Sequence, residues 1–512
     1  MRSVETVLAL VAMATVVATF AKRLRVPAPS LLVVAGVVVG LLPGVPAVQV
    51  TPEIVSLVVL PPLLFAAGEE LPWRDLRTVW RPVSILSVGL VLASAVAVGL
   101  VVVAITPMSL GVGLVLGAVL ASTDPVAVTA LGRRLSLPPR LQALVQAESL
   151  FNDATSLLVF RVAVSITVVG GAVSWGRTAL DVVVLAVGGA LAGAVVAVGV
   201  AVVRRRTEDP VLESVISLLT PYAAFVLAES VHTSGVTAVV VASVVLGTLA
   251  PRLTGAQGRL QQGAVYETVI FLLESVVFAL IGLQLPALIR EQTATGVMWP
   301  LYALAVTVTL LLVRVLWVFP LSALQQRRSG ASRPSWQVPA VVSWAGARGV
   351  VPLAAALTIP ATLPYRELVL LLTIAVIVIT LVVQGFTLAP LVRRAGVALT
   401  PADVRTEEIM ARRSLAQAGL GHLDDLADLE AAPTVVVEGL RRSWLARLHR
   451  IETDIESTED SMSATYRTVR RSLLAVERDE LHRLFGVGRI SDATRRRIQR
   501  TLDLEDAGLE ER

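Results

Sequence analysis

The chain has 512 residues, 55% of them apolar, and a mean hydropathy of +0.76, which is the composition of a membrane protein rather than of a large soluble core. It contains no cysteine, which excludes disulfides, thiolate metal sites and thiol redox switching. The first 397 residues carry 26 basic and 17 acidic side chains and residues 398–512 carry 18 and 22, so the net +5 comes from basic loops between apolar runs and calls for no nucleic-acid partner.

Apolar runs, each near the length that crosses a hydrocarbon layer of roughly 30 Å, recur at 4–21, 28–45, 53–68, 80–104, 109–131, 139–165, 178–203, 210–230, 235–250, 264–290, 298–324, 337–359 and 365–392. The first is followed by Lys22, Arg23 and Arg25 and preceded only by Arg2, the reverse of a secretory signal, so it is read as a span. Connections after odd-numbered runs hold 17 basic residues, among them Arg74, Arg77, Arg81, Arg204, Arg205 and Arg206, whereas the opposite side holds Arg2, Arg177, Arg290 and Arg366. The positive-inside rule then puts the N-terminus outside and, through an odd number of spans, the C-terminal tail in the cytoplasm. These counts predict an all-α polytopic protein of about thirteen transmembrane helices in residues 1–397, followed by a cytoplasmic helical tail over 398–512. Stretches such as RRSWLARLHRIETDIE give the tail amphipathic helices that pack on each other or on a partner, and it carries none of the short catalytic signatures.

A charge in mid-membrane costs several kcal/mol, so the ionisable groups inside the spans are functional candidates: Asp124, Glu148, Asp153, Arg161, Glu213, Glu229, Glu267, Glu274, Arg314 and Arg348. Glu213, Glu267 and Arg161 lie near span ends, where the interface is within reach. In LASTDPVAV, Asp124 precedes Pro125, which disfavours helix before it and removes a donor, leaving carbonyls near Ser122 and Thr123 without intrahelical partners. Such a break with a carboxylate makes a cation site of oxygen ligands, as in the broken helices of secondary transporters; a plain proline kink with Asp124 paired to a neighbour is the alternative. In AESLFNDATSLLVF, Ser149 and Asp153 share a helix face with Asn152 beside them, offering hydroxyl, carboxylate and amide oxygens. Glu148 is turned about 100° away and needs another partner. SWAGARGVVPLAAAL supplies one in Arg348, on a run weakened by Gly346, Gly349 and Pro352, and the expectation is a structural Glu148–Arg348 ion pair.

Together STDPVAV, AESLFNDATSLLVF, LAESVHTSGVTAVVVASVVLG and SWAGARGVVPLAAAL, with LPPLLFAAG and FALIGLQL between, resemble the monovalent cation:proton antiporter family, and within it the bacterial sodium/proton exchangers marked by an Asn-Asp pair. The resemblance runs from Val4 to about Arg394 and excludes the tail. It implies an inverted-repeat fold of six plus six helices with one linking helix, two broken helices crossing at the midplane around Asp124 and around Gly346 to Gly349, and a homodimer in the cell membrane. It further implies Asp153 as the ion- and proton-binding carboxylate, Asn152 as its pair, Asp124, Thr123 and Ser149 as accessory sodium ligands, and Glu148 with Arg348 as a buried structural pair. The position after Phe65 is often acidic in that family and here is Ala66, so Glu70 is a candidate substitute, against a solvated interface carboxylate as the plainer reading; Glu229 is a second candidate accessory group.

The function so implied is exchange of Na+ or Li+ for H+, electroneutral because Asn152 stands where electrogenic relatives carry a second Asp and because no Lys follows Lys22. It would serve cellular pH and sodium balance without a cofactor and without enzyme chemistry. A K+/H+ antiporter of the same fold is the nearest alternative and a cation channel a more distant one. A hydrolase is disfavoured by the lack of HExxH and GxSxG, with the lone membrane histidine, His232, read as structural.

Overall fold

The computed structural model describes residues 2–24, 26–43, 52–124, 137–169, 175–207, 209–292, 298–328, 335–428, 434–456, 461–487, 489 and 492–510. Its contacts divide into two units, Met1–Leu399 and Thr400–Arg512. Every element is helical in the described residues of both units.

In the first unit α1 (Arg2–Leu24) and α2 (Ala28–Leu41) lead into a π-helical turn, Ile54–Val59, and α3 (Leu60–Glu69). Pro61 and Pro62 give that turn no backbone donors, and the ladder loosens there, with Leu60 N–H reaching back five residues to the Val55 carbonyl. After α4 (Trp73–Ser84), with Pro82 inside it, comes a second π-helical turn and α5 (Val91–Ile105), together a continuous apolar length of 33 residues. There follow α6 (Leu110–Ala121), α7 (Pro139–Val169), α8 (Trp175–Arg204), α9 (Pro210–Ser230), α10 (Gly235–Leu253), α11 (Ala256–Gln292), α12 (Trp299–Arg328), the short pair α13 (Gln337–Trp344) and α14 (Val350–Leu357), and α15 (Arg366–Ala395). Helix thus occurs in each of the thirteen predicted runs, and among the described residues seven helices are long and apolar enough to cross a membrane. Residues 125–131, the far part of the fifth run, lie outside the described residues.

Starts are set by local chemistry. Asp209 accepts the Val211 N–H at 2.8 Å ahead of Pro210, and Ser234 accepts the Thr237 N–H at 3.2 Å, capping α9 and α10. In between, His232 turns the chain at φ +56°, a left-handed backbone that histidine tolerates better than most side chains. Packing relies on small residues, since lipid offers no hydrophobic drive between helices. Gly36 of α2 and Gly282 of α11 face each other so closely that an added Cβ on either would meet the other helix's backbone.

α15 is central, 72% of its most apolar stretch being buried, whereas α8 is peripheral at 22% and turns Val184, Leu191, Val195 and Val198 outward as a lipid-facing surface would. The main apolar cluster joins α2, α5, α6, α11, α14 and α15; a second joins α3, α7, α8 and α10. The polar site lies where α6 and the α13–α14 break meet α7.

The second unit comprises α16 (Pro401–Asp428), α17 (Thr434–Glu456), α18 (Ser461–Gly486) and α19 (Asp492–Glu510). Leu474, Leu481 and Leu502 form its small core, bordered by Arg478 donating to Asp503 and Asp506 at 3.1 and 2.9 Å. Those two carboxylates hold the Arg478 guanidinium even more firmly protonated than usual.

Candidate functional site

α6 stops at Ala121, where Ser122 leaves the helical region with ψ 144°. The non-helical residues Ser122, Thr123 and Asp124 therefore present backbone and side-chain oxygens that a helix would have hidden. The second break lies between α13 and α14, at residues 345–349, and the two meet: Asp124 N–H donates to the Ala347 carbonyl at 2.7 Å. Gly349 is required by that closeness, since a Cβ there would fall on the Asp124 carboxylate. Arg348 N–H donates to Thr380 Oγ1 on α15 at 3.1 Å, which pins the break to the central helix.

α7 delivers the predicted polar face to this point. The Ser122 hydroxyl donates to Asp153 Oδ1, Ser149 Oγ donates to the Thr123 carbonyl at 2.5 Å, and Asn152 Nδ2 donates to Thr123 Oγ1 at 3.2 Å. Asp153 is 7% exposed and Asn152 fully buried, its Oδ1 without a hydrogen-bond partner among the described residues. Hence Asp153, Asp124, Asn152, Ser149 and Thr123 are gathered in one place, with their side-chain and backbone oxygens side by side. Ser122 joins them as a side chain; the sequence pointed to its carbonyl, and only the direction of its Cβ, set by the unwinding, shows the hydroxyl on Asp153.

A cavity of about 720 Å³ opens onto these groups, with Asp153, Asp124, Ser149 and Thr123 on its wall beside Ala66, Glu69, Glu70, Glu267 and Glu274. At its mouth Glu70 is exposed and accepts from Gln146 Nε2 at 3.4 Å, whereas Glu69, half-buried, accepts from Gln262 Nε2 at 3.1 Å. Gln262 also donates to Ser217 at 2.9 Å and accepts from the buried Arg204 at 3.3 Å. Glu229 is absent from this wall: it pairs with Arg161 at 2.5 Å and accepts the Gly235 N–H at 3.2 Å at the start of α10. Glu213, expected to reach the interface, is instead 4% exposed.

The expected Glu148–Arg348 pair is corrected. Glu148, 1% exposed, lies against Arg314 of α12, with Nη1 2.6 Å from Oε1 and Nη2 donating to Oε2 at 3.0 Å. Arg314 also donates to the Val342 carbonyl at the end of α13, and Gly346 leaves room for its guanidinium. Arg348 instead donates to the Gly346 carbonyl at 2.9 Å. A break leaves helical carbonyls unpaired, and the nearest guanidinium takes one of them, freeing Glu148 for a cation on a neighbouring helix. Arg314 stood among the buried charges of the sequence, but no spacing ties it to Glu148, 166 positions away.

The end of α6 meeting the break between α13 and α14 at Asp124 and the buried Asp153, within a polytopic helical bundle and beside an open cavity, is the arrangement of a secondary transporter. The chain matches the family model described as sodium/hydrogen exchanger, transmembrane, over residues 9–394. It is 35% identical to an uncharacterised Na+/H+ exchanger of Mycobacterium tuberculosis over 98% of this chain and 95% of that one, and 30% identical to the Na+/H+ antiporter ApNhaP of Aphanothece halophytica over 90% and 86%. The solved sodium/proton antiporter MjNhaP1 of Methanocaldococcus jannaschii at pH 8 superposes with a TM-score of 0.64 at 20% identity, covering 77% of this chain and 99% of that one, so the inverted-repeat antiporter fold is shared. The chain belongs to the sodium/hydrogen exchanger family. It is a multi-pass membrane transporter, not an enzyme.

Proposed function

We propose that the protein exchanges Na+ or Li+ for H+ across the cell membrane, one for one, by alternating access, with Asp153 binding either ion. The supporting observation is the Asp153 carboxylate where the end of α6 meets the break between α13 and α14, held by the Ser122 hydroxyl and reached from a polar cavity. A lone carboxylate there is neutralised by one proton or one cation, and the two therefore exclude each other. Asp124, Ser149, Thr123 and the free Oδ1 of Asn152 complete the oxygen set; Glu148 with Arg314 braces α7 against α12, and Arg348 braces the break. Asn152 beside Asp153 leaves one titrating group in the Asn-Asp pair, which favours electroneutral exchange. Glu70, at the mouth, recruits cations rather than ligating them.

Basic residues mark the cytoplasmic loops, and the cavity mouth carries Arg259 and the end of α3 next to Arg74 and Arg77, so this is an inward-open form with the N-terminus outside and the tail in the cytoplasm. Exposed apolar faces fit lipid and a homodimer contact. The reading is tested by reconstituting the protein in vesicles with a pH dye and adding sodium, lithium or potassium over a pH series. Sodium and lithium are expected to drive proton flux, Asp153→Asn to abolish it, and an imposed membrane potential to leave it unaltered. A response to potassium alone makes the protein a K+/H+ antiporter; flux that follows the potential rejects electroneutrality.

A further inference from the structure

We propose that the Arg161–Glu229 ion pair is a latch on the closed side of the transport site, made while the cavity is open and broken when Asp153 becomes accessible from the opposite side; this rests on the alternating-access reading above. α7 carries the site and the pair on successive turns, with Ser149, Asp153, Leu157 and Arg161 four residues apart each time. The cavity wall takes Gln146, Ser149, Leu150 and Asp153 from this helix and, among the described residues, nothing beyond Asp153. One turn further, Leu157 packs against both of the large apolar clusters, which closes the path there. A second turn, about 12 Å along the axis from Asp153, brings Arg161 to Glu229, with Nη2 2.5 Å from Oε1.

Glu229 is held independently of the arginine. It is the last residue but one of α9, and the same Oε1 accepts the Gly235 N–H at 3.2 Å at the start of α10, where the helix dipole favours a carboxylate. The turn between these two helices is fixed by Thr233 N–H on the Ala228 carbonyl at 2.9 Å and by Ser234 N–H on the Leu185 carbonyl of α8 at 3.2 Å. The carboxylate therefore stays in place and hydrogen-bonded when Arg161 leaves. Exposure separates this pair from the other ion pair on α7. Glu148 and Arg314 are 1% and 3% exposed and cannot part without stranding a buried charge, whereas Glu229 and Arg161 are 36% and 42% exposed and are solvated singly at small cost. α7 is thus fastened firmly to α12 and reversibly to α9, and α9 lends no residue to the described cavity wall. The reversible contact lies on the side that has to open for Asp153 to meet solvent there.

The test uses the full chain in membrane vesicles of both orientations, with sodium as the probe ion and proton flux as the readout. Arg161→Gln and Glu229→Gln are each expected to favour the form open on the latch side. The apparent KM for sodium presented on that side then falls about threefold, within what a half-exposed ion pair contributes, and does not fall on the cavity side. Arg161→Cys combined with Glu229→Cys, joined by a short bifunctional methanethiosulfonate in a chain with no other cysteine, is expected to lose flux and to regain it on reduction. Equal KM changes on the two sides, which a purely structural contact gives, overturn the proposal. So do wild-type KM values on both sides, and full flux through a chain that mass spectrometry shows to be cross-linked. Where a glutamine variant fails to yield monodisperse protein the cross-linked pair decides, and where the cysteine pair fails the KM values decide. Any of the overturning results beside a dead Asp153→Asn defeats the latch alone, whereas exchange surviving Asp153→Asn defeats the reading beneath it.

Discussion

Glu148 and Arg314 exchange two N–O contacts in a place where neither touches water. Removing one partner strands the other's charge, which costs about 3–5 kcal/mol in a buried pair. Glu148→Gln and Arg314→Gln are therefore expected to lower the thermal midpoint of the purified protein strongly, and Glu148→Arg combined with Arg314→Glu to recover part of it. The same swap between Glu148 and Arg348 recovers nothing; recovery there would restore the pairing expected from sequence. Arg348 was plausible because it shares a glycine-rich break with functional residues, yet the choice between two guanidinium groups depends on which helix crosses α7 one turn from Glu148. Gly349 is a similar case. Its sequence signal was a weak helix, while its structural role is the space taken by the Asp124 carboxylate. Gly349→Ala is expected to cost about 1–3 kcal/mol by overpacking and to abolish sodium-driven flux by displacing Asp124, whereas Gly263→Ala, with open space at its Cβ on the same cavity wall, keeps flux.

At the level of whole helices, what holds the membrane unit together is contact between small residues rather than apolar drive. Gly282 approaches the backbone of α2 at Val33, while Gly199 on α8 has nothing near its Cβ. Gly282→Leu is expected to separate α2 from α11 and lower the thermal midpoint by several degrees; Gly199→Leu should leave it unmoved, and equal shifts would falsify the packing account. The tail helices depend on a different balance. Leu474, fully buried, joins α18 to α19 in water, so Leu474→Asp places an unpaired charge in a small core. Faster limited proteolysis of residues 461–510, with the membrane helices protected as before, is the outcome to look for. The apolar runs expected to begin at 210 and 235 begin there as helices, with Asp209 and Ser234 capping them. The two π-helical turns were not legible: the first precedes Pro61 and Pro62, which supply no backbone donor, but the second, Ile85–Leu90, carries no proline that marks it.

For the molecule as a whole, the alternation of basic loops predicts that a cysteine placed beside Arg205 is labelled from the cytoplasm and one beside Arg290 from outside, with cysteine-free wild type as background. Labelling of both from one side would break the orientation and with it the inward-open reading of the cavity. Hydropathy by itself determined that this is a bundle of membrane helices, where it is interrupted, and that Asp153, Ser149 and Asn152 share a face, since bilayer thickness and the 3.6-residue repeat are local constraints that any sequence must meet. Tertiary structure alone decided that Ser122 bonds Asp153, that Glu148 takes Arg314, and that Glu274 reaches the same cavity as the two aspartates. Those contacts join residues 31 to 166 positions apart or the walls of one cavity, and their partners are chosen by the angles at which helices cross, which no single helix encodes.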